Sequence, residues 1–248
     1  MGHYTGHRID ILQQTPPSPM NHSAKTKRLV MLLCASVAMG SSLSAVAAEH
    51  PWRSLYGDEI LFDVYRDGTR VGNYRTQFSG EPTNWRVQAT MKLDIEWLWL
   101  RFSYRYLGIE AWKNRQLERL EINIDDDGDQ QQLVFNRQGK QLYAEDRAPI
   151  ALPIFTTHHY DVAVTASTEV LNTLTGNHNQ ITVESLGMEW LEAGAHQVQA
   201  QRYRYHGELK DTDVWYDTKG RWVGLAFIDQ RGARIEFKCL MCGLESPL

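Results

Sequence analysis

The stretch "ILFDVYRDGTRVGNYRTQF", residues 60–78, decides the fold. Ile60, Phe62 and Val64 alternate with Leu61, Asp63 and Tyr65. A side-chain period of two places alternate residues on opposite faces of a strand. Asp67-Gly68 then supplies the turn dipeptide that tolerates positive φ, so the stretch reads as a hairpin. The same style continues downstream. Trp85, Val87, Ala89, Met91, Leu93 and Ile95 share one face of a following strand. Residues 116–145, "QLERLEINIDDDGDQQQLVFNRQGKQLYAE", read as three strands separated by turns at Asp127-Gly128 and Gln138-Gly139. Residues 180–239 hold about five more, punctuated by Gly194, Lys219-Gly220 and Arg231-Gly232. Between the halves lies "APIALPIFTTHHYDVAVTASTEVLNTLTGN", residues 148–177, where Pro149 and Pro153 forbid a central strand. Val164 to Leu174 is expected to form one short helix, with Gly176 past its end. The fold class expected is all-β, a strongly curved antiparallel sheet or partly closed β-barrel with one short helix.

The N-terminus differs from the rest. Lys25, Lys27 and Arg28 precede the apolar run "LVMLLCASVAMGSSLSAVAA", residues 29–48, which ends in small residues. This is the pattern of a secretory signal peptide, cleaved after Ala47 or Ala48. A membrane anchor fits less well, because Gly40, Ser41, Ser42 and Ser44 interrupt the run. Residues before Met20 are turn-rich and polar, so Met20 is the expected start. Cys34 follows Leu33, which disfavours a lipoprotein. The expected division is therefore 1–48, extension plus signal, and 49–248, a single β domain in the periplasm. Residues 1–48 hold four of the 26 Lys and Arg and one of the 30 Asp and Glu, leaving 22 bases against 29 acids, a formal charge of −7. That balance disfavours nucleic acid as a partner. No later segment is long and apolar enough for a spanning helix.

Residues 94–112, "DIEWLWLRFSYRYLGIEAW", concentrate aromatics in one run. Leu98, Leu100, Phe102, Tyr104 and Tyr106 have one parity; Ile95, Trp97, Trp99, Arg101, Ser103 and Arg105 have the other. Near Trp97–Leu100 both faces are apolar, as in a strand covered on both sides or at a bend between strands. The rings either pack as core or line a ligand cavity, since small barrels hold one small ligand. The candidate ligand-binding set is Trp97, Trp99, Arg101, Phe102, Tyr104, Arg105 and Tyr106. Arg101 and Arg105 either pair with Glu110 or Glu118 on a neighbouring strand or hold a carboxylate or phosphate headgroup.

"THHYD" makes His158, His159 and Asp161 the catalytic candidates: a histidine as base with Asp161 orienting it. Adjacent histidines in an extended chain seldom converge on one atom, and Ser103, Ser167 and Ser185 lack a nucleophile-elbow context. Asn123, Asp125, Asp127 and Gly128 resemble a calcium loop, but Val134 stands where the bidentate Glu belongs, so a tight hairpin with solvated acids fits better. Cys239 and Cys242 form C-x-x-C after a strand, with no further ligands for zinc; a local disulfide, free thiols and a redox role all remain open. No metal or cofactor is expected.

The segments "VYRDGTRVGNYR", "FSYRYLGIEAWKNRQLERLEINIDDDG", "NTLTG" and "QRYRYHGELKDTDVWYDTKGRWVGLAFIDQRGARIEF" resemble an uncharacterised family of exported bacterial β-proteins, a domain of unknown function (DUF6134-like). The resemblance spans nearly all of residues 49–248. It implies an exported, antiparallel, barrel-like sheet and carries no activity. The end, "CLMCGLESPL", departs from it. The expected role is non-enzymatic: binding of an amphipathic or lipid-like ligand, or an envelope accessory role. A hydrolase or isomerase built on His158, His159 and Asp161 is the alternative, and a structural module without a pocket is the third.

Overall fold

The computed structural model describes residues 51–97, 100–229 and 231–243. The signal segment lies outside them, as do Leu98, Trp99 and the side chains of Trp97 and Leu100. A single helical turn, α1 (Arg53–Tyr56), precedes eight strands: β1 (Glu59–Arg66), β2 (Thr69–Glu81), β3 (Asn84–Trp97), β4 (Leu100–Lys113), β5 (Gln116–Asp126), β6 (Asp129–Gln138), β7 (Gln141–Tyr143) and β8 (Ile150–Ala151). β9 (Phe155–Thr156), a 3₁₀ turn (Val162–Ala166) and β10 (Glu169–Leu171) follow. The chain ends in β11 (His178–Ala193), β12 (His196–Gly207), β13 (Thr212–Asp217), β14 (Trp222–Ile228) and β15 (Arg234–Met241).

All fifteen strands belong to one sheet, ordered β8-β7-β6-β5-β4-β3-β2-β1-β15-β14-β13-β12-β11-β10-β9. Every neighbouring pair is antiparallel except β9–β10. The two edge strands, β8 and β9, are consecutive in the chain, and no ladder joins them among the described residues. The sheet thus curls until its edges meet through Leu152–Ile154, and it stays unclosed by hydrogen bonds. Pro149 and Pro153 flank these edges, where a missing N–H costs no central ladder bond.

The alternation read from residues 60–78 is the core. Ile60, Phe62 and Val64 are fully buried, and Tyr74 and Phe78 join them from β2. Phe62 packs on Trp222 with ring centroids 4.3 Å apart and touches Tyr74 and Phe237. Trp85, Val87, Ala89, Met91 and Leu93 bury the inner face of β3. Asp67 and Gly68 both take positive φ in the turn.

The expected helix at Val164–Leu174 is not there. A 3₁₀ turn ends at Ala166, and Glu169–Leu171 instead pairs with β9 and β11. The segment is rich in β-branched residues, which lose rotamer freedom in a helix and fit a strand.

The run 94–112 turns back on itself. β3 has no β2 partner beyond Leu93, and β4 meets β5 only from Tyr104. Residues 94–97 and 100–102 therefore pair only with each other, Ile95 opposite Phe102 and Trp97 opposite Leu100, as a projecting two-stranded ribbon, while Ser103 at its base bonds Asp127. Inward parity is odd on β3 and even on β4, which is why alternation does not carry through the run. Arg101 pairs with Glu96 and Arg105 with Asp94, not with Glu110 or Glu118. Those acids lie on the far half of β4 and on β5, whereas Arg101 stands opposite Glu96 on β3 and Arg105, opposite Lys92, reaches diagonally to Asp94.

A second long hairpin covers the other half. β11 shifts register between Ser185 and Gly187. Beyond it, Ala193 and Ala200 are fully buried, Glu189 accepts from the Trp215 indole, and the Gly194 amide donates to the Cys239 carbonyl at 2.8 Å. The far half of β11–β12 lies over the outer face of β13–β15, so β13 and β14 are buried on both faces. Met188 and Trp190 are left exposed. Cys239 and Cys242 are joined by a disulfide against this end.

Burial differs between the two aromatic regions, and so should the cost of truncation. Phe62→Ala should destabilise by about 3–5 kcal/mol as a core cavity. Phe102 is half-buried on the ribbon, with Arg231 5.9 Å above its ring, and Phe102→Ala should cost less than half as much. Urea unfolding midpoints of the two variants check this; equal losses would refute the ribbon.

Candidate functional site

β4 carries Tyr106, Gly108, Glu110 and Trp112 at alternate positions, so all four share the inner face. Glu110 is fully buried. An isolated buried carboxylate is very costly unless donors surround it. Here four donors do. One oxygen accepts from Thr156 Oγ1 and His158 Nδ1, both at 2.6 Å. The other accepts from Trp112 Nε1 at 2.8 Å and from the Tyr160 hydroxyl. On the far side of the imidazole, His158 Nε2 meets the Tyr106 hydroxyl at 2.7 Å. Gly108 makes room for this chain: a Cβ there would stand 2.3 Å from the Tyr106 oxygen and 2.7 Å from His158 Nε2.

Three of the donors come from residues 156–160, which run through the interior as a plug. His159, at positive φ, turns the opposite way from His158 and packs between Tyr205 and Trp222, with tilted rings whose centroids are 5.7 and 5.6 Å away. Its carbonyl accepts from Tyr216 at 2.9 Å. The Tyr160 carbonyl accepts from Tyr56, whose hydroxyl in turn accepts the Trp222 amide. Tyr160 also touches Phe78 and Trp52 edge-on. The plug thus binds β2 and β4 on one side and β12, β13 and β14 on the other.

Burial alone would raise the Glu110 carboxyl. The attraction and hydrogen bond of His158, with the bonds from Thr156 and Tyr160, outweigh it and hold the group below the usual carboxylate range. Burial pushes the Tyr106 and Tyr160 phenols well above their ordinary values, so both stay protonated, and Tyr160 donates to Glu110. Burial, with the nearby His158, drops His159 to about 3. The hydroxyl–imidazole–carboxylate order has the connectivity of a catalytic relay, yet Tyr106, His158 and Glu110 are each at most 4% exposed. What the arrangement does physically is anchor the plug.

His158 and His159 are therefore neighbours that diverge, and Asp161 orients neither. The Asp161 carboxylate caps the 3₁₀ turn, accepting from the Ala163 amide at 2.9 Å. The acid that meets His158 is Glu110, which sequence reasoning considered only as an arginine partner. Its one signal was a carboxylate on the apolar parity of β4. Of the proposed ligand-contacting residues, Tyr106 is buried on His158, Tyr104 and Phe102 are half-buried on the same face, and Arg101 points outward on the ribbon.

Arg105 borders a different concavity. A hollow of about 530 Å³ crosses β3–β6, lined by two outer rows. Lys92, Arg105, Asp125 and Gln130 stand opposite one another in succession, as do Thr90, Leu107, Asn123 and Gln132. Met91, Tyr106 and Ile124 lie between the rows with their side chains buried inward, so they offer backbone to it. The hollow is on the outer face of the sheet.

Two outcomes follow from the buried groups. Gly108→Ala should destabilise by about 1–3 kcal/mol through overpacking, read from denaturant midpoints; an unchanged midpoint would refute the close approach. His159 is depressed in the fold, so its contribution is full above the unfolded value near 6.5 and is lost as pH falls towards 3. The slope is about 1.4 kcal/mol per pH unit between those limits. His159→Asn, which tolerates positive φ, should flatten unfolding free energy against pH between roughly 6 and 4.5 by about one proton. Glu110 is also depressed, so its contribution is present above the usual carboxylate value and is lost only below it. Urea titrations across pH measure both windows.

Comparison with known proteins comes to the same fold. No curated protein matches the chain. The crystal structure of a beta-barrel-like protein of domain of unknown function DUF1849 from Brucella abortus is similar, with a TM-score of 0.53 at 8% identity, over 76% of this chain and 97% of that one. No helix among the described residues is long and apolar enough to cross a membrane. The family model described as Domain of unknown function (DUF6134) matches residues 62–240, well over half of the sequence and reaching from within β1 to within β15, and the chain belongs to that family.

Proposed function

We propose that this is an exported, non-enzymatic binding protein of the bacterial periplasm, whose ligand is a small amphipathic molecule held in the hollow across β3–β6. The observation that carries the reading is the hollow itself. At about 530 Å³ it is the size of a small-molecule site. Leu107 supplies an apolar contact, and Lys92, Asn123, Gln130 and Gln132 surround it with polar ends. The long side chains also offer aliphatic stems. The frame beneath is rigid, because the plug anchors the inner face. The interior, for which core packing and a ligand cavity were the two expectations, is filled by the plug at the level of Tyr106, and this favours a ligand on the outer face. The signal pattern of residues 1–48 supports export.

Binding of the amphipathic probe 1-anilinonaphthalene-8-sulfonate to the purified protein tests the reading. Leu107→Asp should weaken binding at least tenfold while circular dichroism stays unchanged. Unaltered affinity in a folded variant would overturn it.

A further inference from the structure

The charges around the hollow are unevenly committed. Lys92 and Arg105 stand directly opposite each other on β3 and β4. Like charges at such positions are destabilising unless something compensates them. Arg105 is compensated: its guanidinium bonds Asp94 and the Leu93 carbonyl, each at 2.5 Å, and the Tyr104 carbonyl at 3.1 Å. Asp125, opposite Arg105 on β5, is committed elsewhere, accepting the Gly128 amide at 2.8 Å and facing Gln130 in the β5–β6 turn. Among the described residues Lys92 makes no ion pair. Its exposed ammonium is therefore the uncommitted cation at one end of the hollow. Leu107 lies in the adjoining row, and the carboxamides of Asn123 and Gln132 continue it.

Resting on the binding reading above, we infer that the ligand is a monomeric anionic amphiphile. A carboxylate, phosphate or sulfonate head meets the Lys92 ammonium, and the apolar part lies over Leu107 and the neighbouring aliphatic stems. The guanidinium of Arg105 lends the same sign of field without being freed from Asp94. Asp125, two strands from Lys92, repels the anion and so fixes which end of the hollow the head occupies. A hollow of about 530 Å³ fits one molecule, not the plane of a bilayer.

Isothermal titration of the purified protein with three twelve-carbon amphiphiles, each below its micelle concentration, tests the inference: laurate, dodecyl phosphate and dodecyl maltoside. The two anions should bind at least tenfold more tightly than the maltoside. Lys92→Glu should remove that preference, Lys92→Arg should keep it, and raising salt should weaken the anions alone. Equal affinity for all three, lost together in Leu107→Asp, would overturn the anionic ligand and leave the binding reading standing. No binding by any of them would overturn both. Association seen only with phosphatidylglycerol vesicles, by co-sedimentation, would overturn the monomeric ligand.

Discussion

The buried carboxylate of Glu110 sets the terms for the rest of the structure. A fully desolvated charge is stable only when its lone pairs are met, and removing one donor leaves the full desolvation penalty behind. Trp112 donates from the same strand, but Thr156, His158 and Tyr160 come from some fifty residues further on. The chain must therefore bring residues 156–160 into the interior. That is what joins the two halves of the sheet. β8 and β9 do not complete the barrel by pairing; the segment leading on from them enters it, and the bonds made by Tyr160, His159 and Tyr56 tie β2 and β4 to β12, β13 and β14.

With the inside occupied in this way, the two long hairpins acquire different roles. The β11–β12 hairpin folds back over β13–β15 and buries their outer face, which accounts for the unbroken burial from Asp213 to Asp217 and from Arg221 to Ala226. The β3–β4 hairpin runs past its neighbours instead and leaves the outer rows at Lys92 and Thr90 open. The concavity lies on that uncovered side. The same strand, β4, thus presents a buried relay inward through Tyr106 and Glu110 and a solvated surface outward through Arg105 and Leu107.

Much of the fold was legible because strand alternation is a local property. Ile60, Phe62 and Val64, and then Trp85 to Leu93, announce an inner face with period two, and Asp67-Gly68 announces the turn between. The prolines at 149 and 153 announce where a sheet must stop. The helix expected at Val164–Leu174 failed because the choice between one helical turn and a short edge strand there is made by β9 and β11, the partners waiting on either side. The aromatic run was ambiguous for a similar reason: it is shared between two strands whose inward parities differ, and no Gly or Pro marks the boundary between them.

What the sequence determined by itself was the class of fold, the inner faces of β1 and β3, and the position of THHYD in the one irregular segment. What only the tertiary structure decided was the partnership of each polar group. His158 had Asp161 three residues away and met Glu110 forty-eight residues away. Arg105 had Glu110 on its own strand and met Asp94 across the β3–β4 ladder. The physical reason is common to both. Side-chain direction is fixed by local backbone geometry, but the group waiting at the end of that direction depends on strand register and on the path of the plug, which close only when the whole sheet has curled.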